Sequence, residues 1–160
     1  KDWSKSFNSR GWSKCDSTSP YIKGLYRRSS SWNKDRICRL QKANCCKSFK
    51  NVKNDCVEVN WTSSFDKFGH WNKCTPGYYL SGLYRSDGHS LSNIETAWCC
   101  KPYGAPDSNS PCYNENIWLS FDWKKEGWVS CRKAGYYISG LYKSNCNKLH
   151  CIEELKCCKL

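Results

Sequence analysis

Apolar and polar positions alternate along this chain only in short stretches, and three of those stretches are nearly the same. The segment from Gly77 to Ser86 reads Gly-Tyr-Tyr-Leu-Ser-Gly-Leu-Tyr-Arg-Ser; it returns from Gly135 to Ser144 and, in weaker form, from Ser19 to Arg28. Each copy is aromatic, β-favouring and close behind a Gly or Pro turn, which predicts a strand. Alternation puts Tyr78, Leu80, Gly82 and Tyr84 on one face, the expected core face, and Tyr79, Ser81, Leu83 and Arg85 on the other. Gly24, Gly82 and Gly140 fall inside these strands, where glycine has nothing to pack, so a bulge or a close approach between repeats is expected there. No long segment keeps the apolar spacing of an amphipathic helix. The fold class expected is therefore all-β.

The decapeptides are the centres of longer units. The first unit runs through Phe7, Gly11-Trp12, Cys15, Gly24-Leu25-Tyr26-Arg27 and Cys45-Cys46-Lys47. Phe65, Trp71, Cys74, Arg85, Ile94-Glu95 and Cys99-Cys100-Lys101 follow in the same order, and so do Phe121, Trp128, Cys131, Lys143, Ile152-Glu153 and Cys157-Cys158-Lys159. These are three tandem repeats, about 1–50, 51–104 and 105–160. At about fifty residues each is too small to bury a core alone, so one domain over 1–160 with pseudo-threefold packing is expected.

Fourteen cysteines point to an oxidising compartment and a disulfide framework. Cys15, Cys74 and Cys131 each reach one member of their own closing pair; the other members then take Cys38, Cys56 and Cys112, and Cys146 with Cys151 closes a seventh bridge. Adjacent Cys-Cys pairs are a poor match to the spaced ligand pairs of structural zinc. The chain has no methionine and opens on Lys-Asp-Trp, as expected of a secreted product whose signal peptide has been removed. No apolar run is long enough for a membrane span. A net charge of +12 favours anionic partners such as sulfated glycans or acidic lipids; with no nucleic-acid motif, nucleic acid is not an expected partner.

Catalytic signals are thin, and the chain is not expected to be an enzyme. His70, His89 and His150 sit in no known catalytic pattern, and Glu153 and Glu154 are strand neighbours that point to opposite faces. Trp12, Trp71 and Trp128 recur in register and are expected in the core, which leaves Trp32, Trp98, Trp118 and Trp123 freer to serve a site. Oxygen ligands for a hard cation converge in two stretches. One holds Asp87, Asn93 and Glu95, though a plain hairpin turn fits it too; the other holds Asp107, Asn109, Asn114, Glu115 and Asn116.

The order Gly-Trp, Cys, Gly-Tyr-Tyr-Ile/Leu-Ser-Gly-Leu-Tyr-Arg/Lys-Ser, Ile-Glu, Cys-Cys-Lys resembles repeats of secreted cnidarian proteins, in particular the sea-anemone galactose-binding lectins. More distantly it resembles dermatopontin-like matrix proteins, whose Asp-Arg-x-Trp signature survives here only as Asp35-Arg36. The lectin resemblance implies a homodimer that binds glycans ending in β-linked galactose, agglutinates cells and uses calcium. On that reading Asp87, Asn93 and Glu95 are the first-ranked metal ligands, and the same three with Arg85, His89 and Trp98 form the carbohydrate site. A basic matrix or adhesion protein that binds sulfated glycans, or a membrane-active toxin, is the alternative expectation.

Overall fold

The computed structural model describes residues 1–48, 52–108 and 110–160. The first repeat contributes β1 (Gly11–Lys14), β2 (Tyr21–Arg27) and β3 (Leu40–Cys46). The second contributes β4 (Asn54–Asn60), β5 (His70–Lys73), β6 (Tyr79–Arg85) and β7 (Ile94–Pro102); the third contributes β8 (Cys112–Asn116), β9 (Gly127–Ser130), β10 (Tyr136–Lys143) and β11 (Ile152–Lys159). These strands form three antiparallel sheets, in the orders β1-β6-β7-β4, β5-β10-β11-β8 and β9-β2-β3. The chain is all-β, as its alternation predicts.

Each sheet borrows its first strand. The first repeat lends β1 to the second repeat's sheet, the second lends β5 to the third, and the third lends β9 back to the first. This exchange closes a ring, and β2, β6 and β10, the three decapeptide strands, pack against one another inside it.

The glycines make the exchange possible. A Cβ on Gly24 would lie 2.7 Å from the Val129 carbonyl oxygen, one on Gly82 2.7 Å from that of Ser13, and one on Gly140 2.9 Å from that of Asn72. Real Cβ atoms do not approach that closely, so only glycine admits the borrowed strand. Both sequence expectations for these residues hold, because the ladder also slips between Ile22 and Gly24, Leu80 and Gly82, and Ile138 and Gly140.

That slip corrects the expected faces. One extra residue in a strand reverses the alternation beyond it. Leu83 therefore joins Leu80 in the core at 1% and 0% exposure, while Tyr84 turns outward. Tyr79 meets Tyr21 and Tyr137 in a second, smaller cluster, with Tyr21 ring centroids 5.8 and 6.3 Å from the other two.

The basic residue that ends each decapeptide is buried and locks one repeat to the next. Arg27 Nη1 donates to the Phe121 carbonyl at 2.9 Å, Arg85 Nη1 donates to the Phe7 carbonyl at 3.0 Å, and Lys143 Nζ donates to the Phe65 carbonyl. Those three phenylalanines are fully buried, each in a short turn closed by the residue four positions earlier: Trp3, Trp61 or Ile117. In the first two repeats this turn is the 3-10 segment Ser6–Asn8 and the short helix Thr62–Phe65.

Six disulfides form among the described residues. Cys15–Cys45, Cys74–Cys99 and Cys131–Cys157 close each repeat, Cys56–Cys100 and Cys112–Cys158 staple the outer strands, and Cys146–Cys151 closes a loop of the third repeat. The bridge expected between Cys38 and the first closing pair is absent, and Cys38 and Cys46 are unbonded. Cys38 precedes β3 and Cys46 ends it, so the strand holds them roughly 20 Å apart, far beyond disulfide reach. No helix among the described residues is long and apolar enough to cross a membrane.

Candidate functional site

Where the borrowed strand meets the decapeptide strand, a tryptophan and a tyrosine stand opposite each other on the outer face. Trp12 pairs with Tyr84 at 5.4 Å between ring centroids, Trp71 with Tyr142 at 5.3 Å, and Trp128 with Tyr26 at 5.4 Å. Register causes this, since each tryptophan is the direct cross-strand partner of its tyrosine. The core placement expected for the three tryptophans is therefore corrected: Trp128 is 48% exposed, and Trp12 and Trp71 are half-buried. The tryptophans that fill the core are Trp3 and Trp61, at 1% and 2%.

A lysine attends each pair. Lys14 Nζ lies 4.5 Å from the Trp12 ring and 3.9 Å from the Trp98 ring, Lys42 Nζ lies 4.8 Å from Tyr26, and Lys73 Nζ lies 5.9 Å from Trp71. Lys14 and Trp98 meet because both are register partners of Gly82, whose missing side chain lets the Lys14 stem lie where a Cβ would be, 2.8 Å from its Cγ. Beside this platform runs an open groove of about 1060 Å³, lined by Lys14, Ser17, Lys47, Lys53 and Trp98 along the Cys56–Cys100 bridge.

The residues singled out in the sequence separate into three settings. Trp98 belongs to the platform, 6.2 Å from Trp12. Arg85 lies underneath at 3% exposure, donating to the carbonyls of Phe7, Ser86 and Gly88. Asp87 and His89 are exposed on the turn above it, and the His89 carbonyl accepts the Ile37 amide at 3.1 Å. Asn93 caps that turn. Its Oδ1 accepts the Ser90 amide at 3.1 Å and its Nδ2 donates to the Asp87 carbonyl at 2.8 Å, so its side chain is engaged in holding the loop. Glu95 is half-buried at the start of β7, where its carbonyl accepts the Trp61 amide.

The second acidic stretch is committed to ion pairs and caps. Asp107 pairs with Lys101, and Asn116 caps the Trp118 amide at 3.2 Å. Glu115 is buried against Arg132 at 2.9 Å; burial alone would raise its carboxyl, but hydrogen bonds from Arg132 and Tyr113 hold it below the usual value. Asn114 is exposed on β8, and Asn109 lies outside the described residues.

Among the described residues one cluster of metal-type side chains is assembled: Cys146, His150 and Cys151. Both sulfurs are spent in a disulfide, and His150 Nδ1 is 3.0 Å from Asp35 Oδ2, so no thiolate is on offer. No known protein family, curated protein or solved structure matches this chain.

Proposed function

We propose that this protein is a secreted lectin of three tandem repeats in pseudo-threefold arrangement, with the Trp-Tyr platforms as its sugar-contacting surfaces. The observation that supports this is the outward placement of Trp12, Trp71 and Trp128, each against a tyrosine and within reach of a lysine. A sugar ring offers one apolar face and a rim of hydroxyls. Flat indole and phenol rings receive the face, and the ammonium and phenol groups meet the rim. Three such platforms on one chain give multivalency without a second subunit, which turns weak single contacts into avidity. The homodimer implied by the resemblance would multiply it again.

Terminal β-linked galactose, held with calcium through Asp87, Asn93 and Glu95, is the specific ligand that the resemblance contributes to this proposal. A second reading, sulfated glycan, is favoured by Lys14, Lys47 and Lys53 along the groove beside Trp98. One experiment separates the readings. The protein is applied to a glycan array with calcium and with a chelator, alongside the triple variant Trp12→Ala, Trp71→Ala, Trp128→Ala. Galactose binding lost in chelator supports the calcium reading, and binding lost only at high salt supports sulfated glycans. Glycan binding that is undiminished in the triple variant overturns the platforms as the site. Lysis of red cells without sugar inhibition would move the function to the membrane.

A further inference from the structure

Two of the three sheets end in a stapled outer strand, and the third does not. In the first sheet β4 runs antiparallel along β7, with Asn60 opposite Thr96 and Cys56 opposite Cys100. In the second, β8 runs along β11 with Asn116 opposite Glu154 and Cys112 opposite Cys158. Both cysteine pairs bring their Cα atoms to 4.1 Å, the narrow spacing of a non-hydrogen-bonded antiparallel pair.

The third sheet starts the same arrangement and stops. Asp2 stands opposite Lys42, the Trp3 amide donates to the Gln41 carbonyl at 2.7 Å, and Lys1 exchanges hydrogen bonds with Ala43 at 2.7 and 3.0 Å. Asp2 also repeats a local role: it caps the Ser4 amide at 2.8 Å, as Asn60 caps Thr62 at 2.9 Å and Asn116 caps Trp118 at 3.2 Å. Beyond Ala43 no strand lies along the outer side of β3 among the described residues, and there Cys46 is unbonded. Cys46 packs beside the Tyr21, Tyr79 and Tyr137 cluster together with Cys56, Cys100 and Cys158. Burial pushes its thiol up, so it is not an activated nucleophile.

Register then fixes what would fill the edge. Cys100 and Cys158 lie four residues beyond Thr96 and Glu154, and Cys46 lies four beyond Lys42; Cys56 and Cys112 lie four before Asn60 and Asn116. Four before Asp2 is the position three ahead of Lys1. We infer that the open edge of β3 takes an antiparallel strand leading into Lys1, and that a cysteine three positions ahead of Lys1 is bonded to Cys46. Closing that bond joins two sulfurs and releases two protons and two electrons. A disulfide oxidant accepts them and becomes a dithiol, as the six existing bonds also require.

The inference does not depend on the ligand, and it is tested on the full-length secreted protein by mass spectrometry of unreduced peptides after alkylation in denaturant. The expected result is a peptide containing Cys46 cross-linked to one from ahead of Lys1, with Cys38 alkylated. Alkylated Cys46, a Cys38–Cys46 bridge, or Cys46 joined to a second copy overturns the proposal. A gain-of-function arm uses the 160-residue chain. Adding Cys-Val-Glu, the sequence Cys56–Glu58, ahead of Lys1 lowers the free thiols from two to one and raises the melting midpoint by roughly 5–15 °C, while Ser-Val-Glu leaves both unchanged. If the Cys-Val-Glu chain shows three free thiols, the register argument is wrong.

Discussion

Arg27 and Arg85 occupy the same place at the end of a decapeptide strand, yet they are neutralised in different ways. Arg85 donates only to carbonyls, those of Phe7, Ser86 and Gly88. Arg27 makes the equivalent bond to Phe121 and adds a fork-to-fork pair with Asp35, whose second arm is 3.1 Å. Asp35 also accepts the His150 amide at 2.8 Å, and its carbonyl accepts the Leu149 amide at 3.0 Å. The carbonyl bond is what the repeats share and is enough to join two of them. The carboxylate has a separate task, binding a loop of the first repeat to a loop of the third.

That contrast can be broken most forcefully at the paired site. Arg27→Met removes the cation and leaves Asp35 buried without its main partner, an expected loss of about 3–5 kcal/mol in urea unfolding. Arg85→Met strands only carbonyl acceptors and is expected to cost about 1–3 kcal/mol in the same titration. Equal losses would mean that the carboxylate adds nothing beyond the shared lock.

Acid sharpens the comparison further. Burial acts to raise the Asp35 carboxyl, but hydrogen bonds from His150 and Arg27 and the Arg27 charge outweigh it and hold the pKa below the ordinary 3.8. A carboxyl depressed in the folded state contributes its stability above its unfolded value, and that contribution disappears as pH falls through the folded value. The melting midpoint of the wild type should therefore fall more steeply than that of Asp35→Asn as pH is lowered from about 5 to 2. Parallel curves would remove Asp35 from the acid response. The smallest effect on stability is expected on the outer face, where Trp12→Ala should change the unfolding free energy by about 1 kcal/mol or less. The same variant should weaken glycan binding several-fold in calorimetry, and a large stability loss would return Trp12 to the core.

The repeated parts of the fold were legible because the same physical demand recurs in each unit. Gly24, Gly82 and Gly140 signal a close approach, and equivalent positions bond Cys15, Cys74 and Cys131 each to one member of its own closing pair, while the choice of the first member comes from the structure. The mid-strand glycine marks a bulge but not its direction, so plain alternation puts Tyr84 inward although the slip turns it out. For Trp12, Trp71 and Trp128 the limit is different: recurrence marks a structural position without saying which side of the sheet it faces. Strand length carried the lesson for Cys38, since the span of β3 rules out Cys46 as its partner. Of the candidate site, Trp98 fell on a platform, whereas Asn93 is occupied as a loop cap, a role that composition cannot distinguish from a ligand.

The strand exchange has a consequence for how such a chain can change over time. An open stack of repeats can grow or shrink at its ends, but a ring in which every sheet completes its neighbour has no end to extend. Deleting one unit leaves two sheets mismatched, and inserting a fourth changes every angle of closure. Copy number is therefore frozen, while the point at which the ring is cut is free. A circular permutant opened in the join after Pro102 and closed through a short linker should keep all three borrowed strands in place.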